Sequence, residues 1–291
     1  MKRMYLLWLV FLLPPITHPS ALAQGGQVTQ ETDAATRHDG KGVGHDRSGR
    51  YVEAVESLQQ AIRSRPDSAE AHNNLGVAYN DSGLHLEAVE SLSRAIRLEP
   101  GLAEAHRNLG YTYHKLGRYR EAVEALKQAI RLRPDYALAF NDMGAAYNDL
   151  GAYAEAIESL EVALRFEPDY AEAYNNLGIS YQRTGRYAES VEFFKRAIEI
   201  RPKLPEAHHS LGVAYYKSRR YGEAAKAFGK AISLEPEYAA ARFHLGATYV
   251  ALGDRGAALK QHKILQSLDL DLARNLYNGI HKGMFLVVPD K

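Results

Sequence analysis

A 34-residue periodicity runs through most of this sequence and limits the folds it can adopt more than any other feature. Shifted by 34 residues, the chain aligns with itself from Ala69 to Leu272. The shift defines six complete copies, which span 69–102, 103–136, 137–170, 171–204, 205–238 and 239–272. In every copy Leu-Gly or Met-Gly occupies positions 7 and 8, and tyrosine occupies position 11. A period of this length indicates stacked supersecondary units that pack mainly on their neighbours.

The spacing inside each copy predicts two helices joined by a tight turn. Positions 4, 7, 8 and 11 follow the i, i+3, i+4, i+7 rule, so they form one face of a first helix, helix A. On that face the glycine at position 8 allows a neighbouring helix to approach, and the tyrosine fills the space beside it. A second helix, helix B, has its own apolar stripe and ends before a proline in the first five copies. Because one helix pair leaves apolar faces uncovered, neighbouring copies must stack into an α-solenoid.

The turn after helix A has a glycine at position 15 in five of the copies. Glycine readily adopts the left-handed backbone conformation that often ends a helix. These glycines are Gly83, Gly117, Gly151, Gly185 and Gly253. The fifth copy has Arg219 at this position, so we predict a slightly strained turn there.

These positions resemble the tetratricopeptide repeat family, whose pattern of a large residue, Leu-Gly, Tyr, Ala, an aromatic residue, Ala and Pro recurs over about two-thirds of the chain. The resemblance implies an all-α fold, a right-handed α-solenoid of tandem 34-residue helix-turn-helix repeats whose A helices line a concave groove for partners. One departure lies at position 4, where the family has a large aromatic residue. This chain has His72, His106, Phe140, Tyr174, His208 and Arg242 there. We therefore expect looser packing at the start of helix A.

The N-terminus has the pattern of a secretory signal peptide. Met1-Lys2-Arg3-Met4 is followed by the apolar run 5–13, a break at Pro14-Pro15 and the small-x-small site Ala21-Leu22-Ala23. Such an apolar run reaches only about 14 Å as a helix, whereas the hydrocarbon core of a bilayer is about 30 Å thick. A retained membrane anchor is therefore the weaker alternative. We predict a signal peptide at 1–23, cleavage after Ala23 and a periplasmic or secreted protein.

The segments that flank the six copies depart from the repeat. Residues 24–48 are polar and contain several glycines, so we predict a flexible leader there. We predict a partial repeat at 49–68, with a single helix over 50–64. A capping helix and tail are predicted for 273–291, because apolar residues share one helix face between Asp269 and His281. Residues 284–288 are compatible with either a short strand or a docking tail.

Composition and motifs argue against catalysis and against nucleic-acid binding. The chain has 36 Lys plus Arg against 35 Asp plus Glu, so it lacks the excess of basic charge typical of nucleic-acid binders. It has no cysteine, which excludes thiolate metal sites and a thiol nucleophile. The sequence contains no phosphate-binding glycine loop, Gly-x-Ser-x-Gly or His-Glu-x-x-His motif. We predict a protein that is not an enzyme and requires no cofactor.

The 12 histidines raise the question of a metal site. His72, His106 and His208 share position 4 of their copies and lack a second ligand one turn later, at i+4. We therefore predict that they fill interfaces between repeats and that the protein binds no metal.

By helical-wheel geometry, positions 2, 6, 9 and 13 of helix A lie opposite its packing face. The candidate binding residues are mainly those at position 6, to which position 5 adds further polar side chains. Asparagine recurs at both positions, and an amide both donates and accepts hydrogen bonds. A row of amides can therefore pair with successive peptide units of an extended chain. The row is similar to that in the tetratricopeptide array of the O-linked N-acetylglucosamine transferase, whose catalytic domain has no counterpart here. The predicted partner-binding residues are Asn73, Asn74, Arg107, Asn108, Tyr111, Asn141, Asp142, Asn175, Asn176, His209, Ser210, Phe243 and His244.

Several interpretations of this face remain open. The amides could simply be solvated, or could bond the backbone of a neighbouring repeat. The main functional hypothesis is a non-catalytic scaffold that binds a partner polypeptide of unknown identity in the groove. One alternative is a module that dimerises through the apolar face of the unpaired helix 50–64. Another is an accessory subunit of an extracytoplasmic glycosyltransferase or cell-wall enzyme.

Overall fold

The computed structural model describes residues 50–282, which form fourteen helices and no strand. The predicted signal peptide, the leader and residues 284–288 lie outside the described residues. The first helix, α1, spans Arg50–Ser64, and the last, α14, spans Leu270–Lys282. Between them lie the helix pairs of the six repeats, A before B. They are α2 (Ala69–Asp81) and α3 (His85–Leu98), α4 (Ala103–Lys115) and α5 (Tyr119–Leu132), α6 (Ala137–Leu150) and α7 (Tyr153–Phe166), α8 (Ala171–Arg183) and α9 (Tyr187–Ile200), α10 (Pro205–Lys217) and α11 (Tyr221–Leu234), and α12 (Ala239–Ala251) and α13 (Arg255–Leu268).

The helices stack in chain order, so the predicted all-α solenoid is confirmed. Each helix A packs on its own helix B, and each helix B packs on the helix A of the next repeat. Successive A helices also touch one another, which places equivalent side chains of neighbouring repeats side by side. This arrangement is what brings positions 5 and 6 of different copies together.

The turns after helix A have the backbone conformation predicted for them. The five glycines at position 15 have φ between 73° and 79°, in the left-handed region. Arg219 occupies the same conformation in the fifth repeat, with φ 60°, so the prediction of an unfavourable turn there is confirmed. The backbone amide of the next residue, Arg220, still closes the turn by donating to the Tyr215 carbonyl at 2.9 Å.

The glycine at position 8 is required by a close approach of helix B. A Cβ atom added to Gly144 would lie 2.5 Å from Cγ of the buried Leu160, at position 24 of the same repeat. Leucine or phenylalanine at position 24 lies equally close to the glycine at position 8 in the first, second, fourth and fifth repeats. In the sixth repeat position 24 is His262, and the side chain against Gly246 is instead Leu276 from α14.

Helix α14 closes the end of the stack by packing against both helices of the sixth repeat. It buries Leu276 and Ala273 in a cluster with Leu265 of α13 and Phe243 of α12. Phe243 is only 4% exposed, so its assignment to the partner-binding groove is wrong. The reason is that α14 occupies the side of α12 where another repeat would otherwise stack.

The first described helix, α1, has a buried apolar stripe. Leu58 is 0% exposed, and Ala54 and Ala61 are also buried. Ala54 and Leu58 form a cluster with Leu75 and Ala78 of α2. Dimerisation through this helix stays a prediction, because the residues that precede it in the chain lie outside the described range.

The histidines at position 4 bond the preceding turn of the chain. Nε2 of His72, His106 and His208 lies 2.9–3.1 Å from the carbonyl oxygen of Pro66, Pro100 and Pro202, respectively. Because a carbonyl only accepts, each Nε2 must carry the hydrogen. Arg242 donates to the equivalent carbonyl, that of Pro236. These bonds anchor the start of helix A at the position where the family has a large aromatic residue.

Neither a membrane-spanning helix nor a metal-binding cluster occurs among the described residues. Among helices α1 to α14, none combines the length and the apolar character needed to cross a bilayer. Within residues 50–282, no three side chains of His, Asp or Glu lie close enough together to share a metal ion.

Candidate functional site

Side chains at positions 5 and 6 of helix A bond each other across the joints between repeats. Asn108 Nδ2 donates to Asn73 Oδ1 at 2.9 Å, and Asn176 Nδ2 donates to Asn141 Oδ1 at 2.9 Å. In each pair position 6 of one repeat reaches position 5 of the repeat before it, 35 residues away. The amides therefore join repeats, by bonds between side chains.

The joint between the second and third repeats has an ion pair at the same place. Arg107 Nε donates to Asp142 Oδ2 at 2.6 Å, and both side chains are largely buried. Burial lowers the pKa of Arg107, but the Asp142 carboxylate outweighs it and raises the pKa above its ordinary value. Arg107 and Lys115 also lie over the ring of Tyr111, at 5.9 Å and 5.1 Å from its centroid. Both cations are thus close enough to the partly exposed Tyr111 ring for a cation–π interaction.

The joint between the fifth and sixth repeats has two histidines at this place. His209 Nε2 lies 3.2 Å from His244 Nδ1, which lies 2.9 Å from the Ala240 carbonyl oxygen. Since that carbonyl only accepts, His244 Nδ1 carries the hydrogen and His209 Nε2 accepts. The rings of Phe228 and Tyr238 pack on His209, with centroids 5.6 Å and 5.1 Å away. Burial, and secondarily the neighbouring His244, lowers the pKa of His209 to about 3.

The joint between the fourth and fifth repeats lacks such a bond. Asn175 at position 5 faces this joint, but Asn175 Oδ1 has no hydrogen-bond partner. Position 6 of the fifth repeat is Ser210, whose side chain is shorter than that of asparagine.

A second row of bonds shows the same gap. Position 12 of helix A bonds position 10 of the next repeat through Asn80 Nδ2 and Thr112 Oγ1 at 2.8 Å. Between the third and fourth repeats, Ser180 Oγ donates to Asn148 Oδ1 at 2.7 Å. In the fourth repeat, Gln182 Oε1 has no partner, and position 10 of the fifth repeat is Ala214, which has no hydroxyl.

Acidic residues at position 2 form a third row along helix A. Glu104 and Glu172 each accept from an arginine at the end of their own helix B, Arg133 and Arg201. The fifth repeat has Glu206 and Glu235 at these two positions, so it has two carboxylates where the second and fourth repeats have an ion pair. Burial and then both carboxylates raise the pKa of the adjacent Tyr238 to about 12.

The predicted binding residues therefore divide into two groups. The asparagines at position 5, namely Asn73, Asn141 and Asn175, are buried, so the expectation that their amides face solvent is wrong. The residues at position 6, including Asn74, Asn108, Asp142, Asn176, Ser210 and His244, are partly exposed, as are Arg107, Tyr111 and His209. Their contact with a partner stays a prediction.

Sequence reasoning missed this pairing, although a signal was present. Positions 5 and 6 of successive copies pair asparagine with asparagine twice, arginine with aspartate once and histidine with histidine once. A matched Arg107–Asp142 pair in a row of amides, at a constant spacing of 35, would have indicated direct contact.

A continuous stack of helix pairs, tied together by polar side chains along one face, defines the protein as a repeat scaffold with an extended surface. The chain belongs to the tetratricopeptide repeat family. Models described as "Tetratricopeptide repeat" match residues 41–103, 92–124, 169–235 and 215–271, and one described as "TPR repeat" matches 111–151 and 144–185. The first match begins inside the segment predicted as a leader.

Solved structures with TM-scores above 0.6 show the same fold. A tetratricopeptide repeat protein from Parabacteroides merdae is 19% identical with a TM-score of 0.69, and the alignment covers 89% of this chain and 99% of that one. PilW, a type IV pilus biogenesis factor, is 24% identical with a TM-score of 0.63, covering 68% of this chain and 92% of its own. MamA is 30% identical with a TM-score of 0.49, covering 62% of this chain and 94% of its own. No curated protein matches the chain.

Proposed function

We propose that the protein is a non-catalytic scaffold that binds a segment of a partner polypeptide along the groove lined by helix A of each repeat. The observation that carries the proposal is the set of inter-repeat bonds, which hold partly exposed polar side chains in fixed positions. Asn108 and Asn176 each use one amide hydrogen on the neighbouring repeat and retain a second one for a ligand. Because these side chains are already ordered in the free protein, less conformational entropy is lost when a partner binds.

Apolar contacts for a partner come from position 9 of helix A. Val77, Tyr111, Ala145 and Ile179 are partly exposed in the first four repeats, whereas Val213 and Ala247 are buried. We therefore place the main contact on repeats one to four, where the polar side chain at position 6 lies one turn before each of these residues. The combination suits an extended segment that offers main-chain groups and small apolar side chains in alternation.

Site-specific photo-crosslinking tests the groove. A benzophenone side chain replaces Ala145, at position 9 of α6, or as a matched control the exposed Glu158 of α7 on the other helix layer. Crosslinking is done in the native host, and the crosslinked segment is identified by mass spectrometry and then tested as a purified peptide. We expect one defined segment to crosslink from Ala145 and not from Glu158. Equal crosslinking from both, or crosslinking only from Glu158, contradicts the proposal.

Export is part of the proposal, since the pattern at 1–23 directs the chain out of the cytoplasm. Mature protein from the native host is expected to begin at Gln24 or within a few residues of it, in an extracytoplasmic fraction. N-terminal sequencing of cytoplasmic protein that still begins at Met1 would exclude it.

A further inference from the structure

The joint between the fourth and fifth repeats has acceptor oxygens without donors. Asn175 is 8% exposed, and its Oδ1 has no hydrogen-bond partner. Glu172 lies one turn earlier on α8, and its Oε2 is also buried without a partner. Buried polar groups in native proteins are almost always bonded, so two unbonded acceptors on one helix face require an explanation.

The gap is a property of this joint, as comparison within the chain shows. At the joints between repeats one and two, two and three, and three and four, a longer side chain at position 6 bonds its partner at position 5 of the repeat before it. Ser210 stands at that position in the fifth repeat. The missing donor is therefore the consequence of one short residue.

Loose packing does not account for the unbonded acceptors. Phe194 of α9, Leu211 of α10 and Phe228 of α11 are buried in a single apolar cluster that crosses this joint. The two repeats are thus held together by their apolar surfaces, so the missing side-chain bond is not the result of separated repeats.

The charges nearby define what kind of group fits. Glu172 Oε1 accepts from Arg201, which leaves Oε2 as an acceptor with residual negative character. A carboxylate oxygen of this kind favours a cationic donor. A calcium ion is a poor fit, because it takes about six to eight oxygen ligands, more than these side chains supply.

We propose that Glu172 Oε2 and Asn175 Oδ1 form a subsite for a basic side chain, an arginine foremost, of the polypeptide bound in the groove. The proposal rests on the groove-binding function proposed above and adds a chemical preference to it. The planar guanidinium donates several hydrogen bonds in a fixed fork, so it serves a carboxylate and an amide oxygen together.

Nuclear magnetic resonance on the isotopically labelled full chain tests the subsite. The probe is N-acetyl-arginine amide, and the matched neutral probe is N-acetyl-citrulline amide, which has the same shape without the charge. We expect a saturable shift of the Asn175 side-chain amide signals with the arginine probe and binding at least several-fold weaker with the citrulline probe. Equal binding of the two probes, or no shift at Asn175, overturns the subsite.

Two variants separate a closed subsite from a damaged fold. Ser210→Asn supplies the donor found at the other joints, so it should bond Asn175 Oδ1, keep or raise the melting temperature and weaken arginine-probe binding about tenfold or more. Ala214→Ser supplies a donor for Gln182 at the far end of α8 and should leave probe binding unchanged. Unchanged binding in Ser210→Asn overturns the proposal.

The subsite and the groove can fail separately. If Ala145 crosslinks a defined segment but the arginine probe leaves Asn175 unaffected, the subsite is wrong and the groove stands. If the probe binds at Asn175 but Ala145 gives no crosslink, the subsite stands and the proposed path of the partner is wrong.

Discussion

Arg107 of the second repeat donates from Nε to Asp142 Oδ2 of the third at 2.6 Å, in the place where asparagine pairs join other repeats. The side chains are 24% and 14% exposed, so water screens the charges only in part. An ion pair and an amide pair are thus alternative ways to satisfy the same two positions. The substitution of one for the other gives a direct test of the joint.

Removing one member of this pair should destabilise the protein, and replacing both with asparagine should restore it. Asp142→Asn alone leaves Arg107 without its counter-charge, and we expect a loss of about 1–3 kcal/mol. The double variant Arg107→Asn/Asp142→Asn reproduces the pair of the neighbouring joints and should recover most of the loss. Urea unfolding of the two single variants and the double variant measures the coupling. Additive losses would contradict the pairing.

Asn108→Ala should also destabilise the protein, although alanine is the better helix former. The substitution removes the donor to the buried Asn73 Oδ1, at a loss of about 1–3 kcal/mol. Asn74→Ala is the matched control, because within the described residues Asn74 bonds no neighbouring repeat and only accepts a long bond of 3.3 Å from Asn73 Nδ2 on its own helix. Its loss of stability should be clearly smaller than that of Asn108→Ala. Thermal unfolding compares them, and equal melting temperatures would mean that the inter-repeat amides add nothing to stability.

The periodic features of this fold could be predicted because each depends on local spacing. The glycine at position 8, such as Gly144, and the tyrosine one turn later mark one helix face, and this pattern can be recognised within a single copy. The bonds across the joints depend on how successive A helices stack, which a single helical wheel does not contain. For the same reason Phe243 was assigned to an open face, since its burial depends on the α14 helix that follows the last repeat.

The turn at Arg219 should be improved by the residue that the other repeats have. Its φ of 60° is unfavourable for a side chain with a Cβ atom, so Arg219→Gly should stabilise the protein by about 0.5–1 kcal/mol. Gly185→Ala is the reverse control, because Gly185 has φ 79° and nothing within 4 Å of an added Cβ. It should destabilise the protein through backbone strain alone. Differential scanning calorimetry of both variants checks the opposite signs.

The histidine pair should make the last joint sensitive to acid. The pKa of His209 is about 3 in the folded protein and 6.5 as its ordinary value, so the unfolded chain binds more protons between these values. The stability that the folded protein gains from a neutral His209 is therefore fully present above pH 6.5, and it is lost as the pH falls towards 3. At pH 5 the loss is about 2 kcal/mol, at about 1.4 kcal/mol per pH unit.

The control for this pH dependence replaces both histidines. His209→Asn/His244→Asn restores the amide pair of other joints without a titrating group. The carboxylates and the phenol on this side of the joint, Glu206, Glu235 and Tyr238, stay in place, so their effects cancel in the comparison. Urea unfolding at pH 7.5 and pH 5 should show a larger loss for the natural chain than for the double variant. Parallel losses would assign the acid sensitivity to other groups.

Two glycines inside helices should respond to alanine in opposite directions. At Gly144 the new methyl group would lie 2.5 Å from Leu160 Cγ, a buried side chain in the middle of the stack. Because α6 and α7 must then separate, we expect a loss of about 1–3 kcal/mol. At Gly229, in the interior of α11, an added Cβ meets nothing within 4 Å, so alanine should stabilise the helix by about 0.5–1 kcal/mol. Urea unfolding of Gly144→Ala and Gly229→Ala under identical conditions measures both, and a stable Gly144→Ala protein would show that helix B does not depend on this close approach.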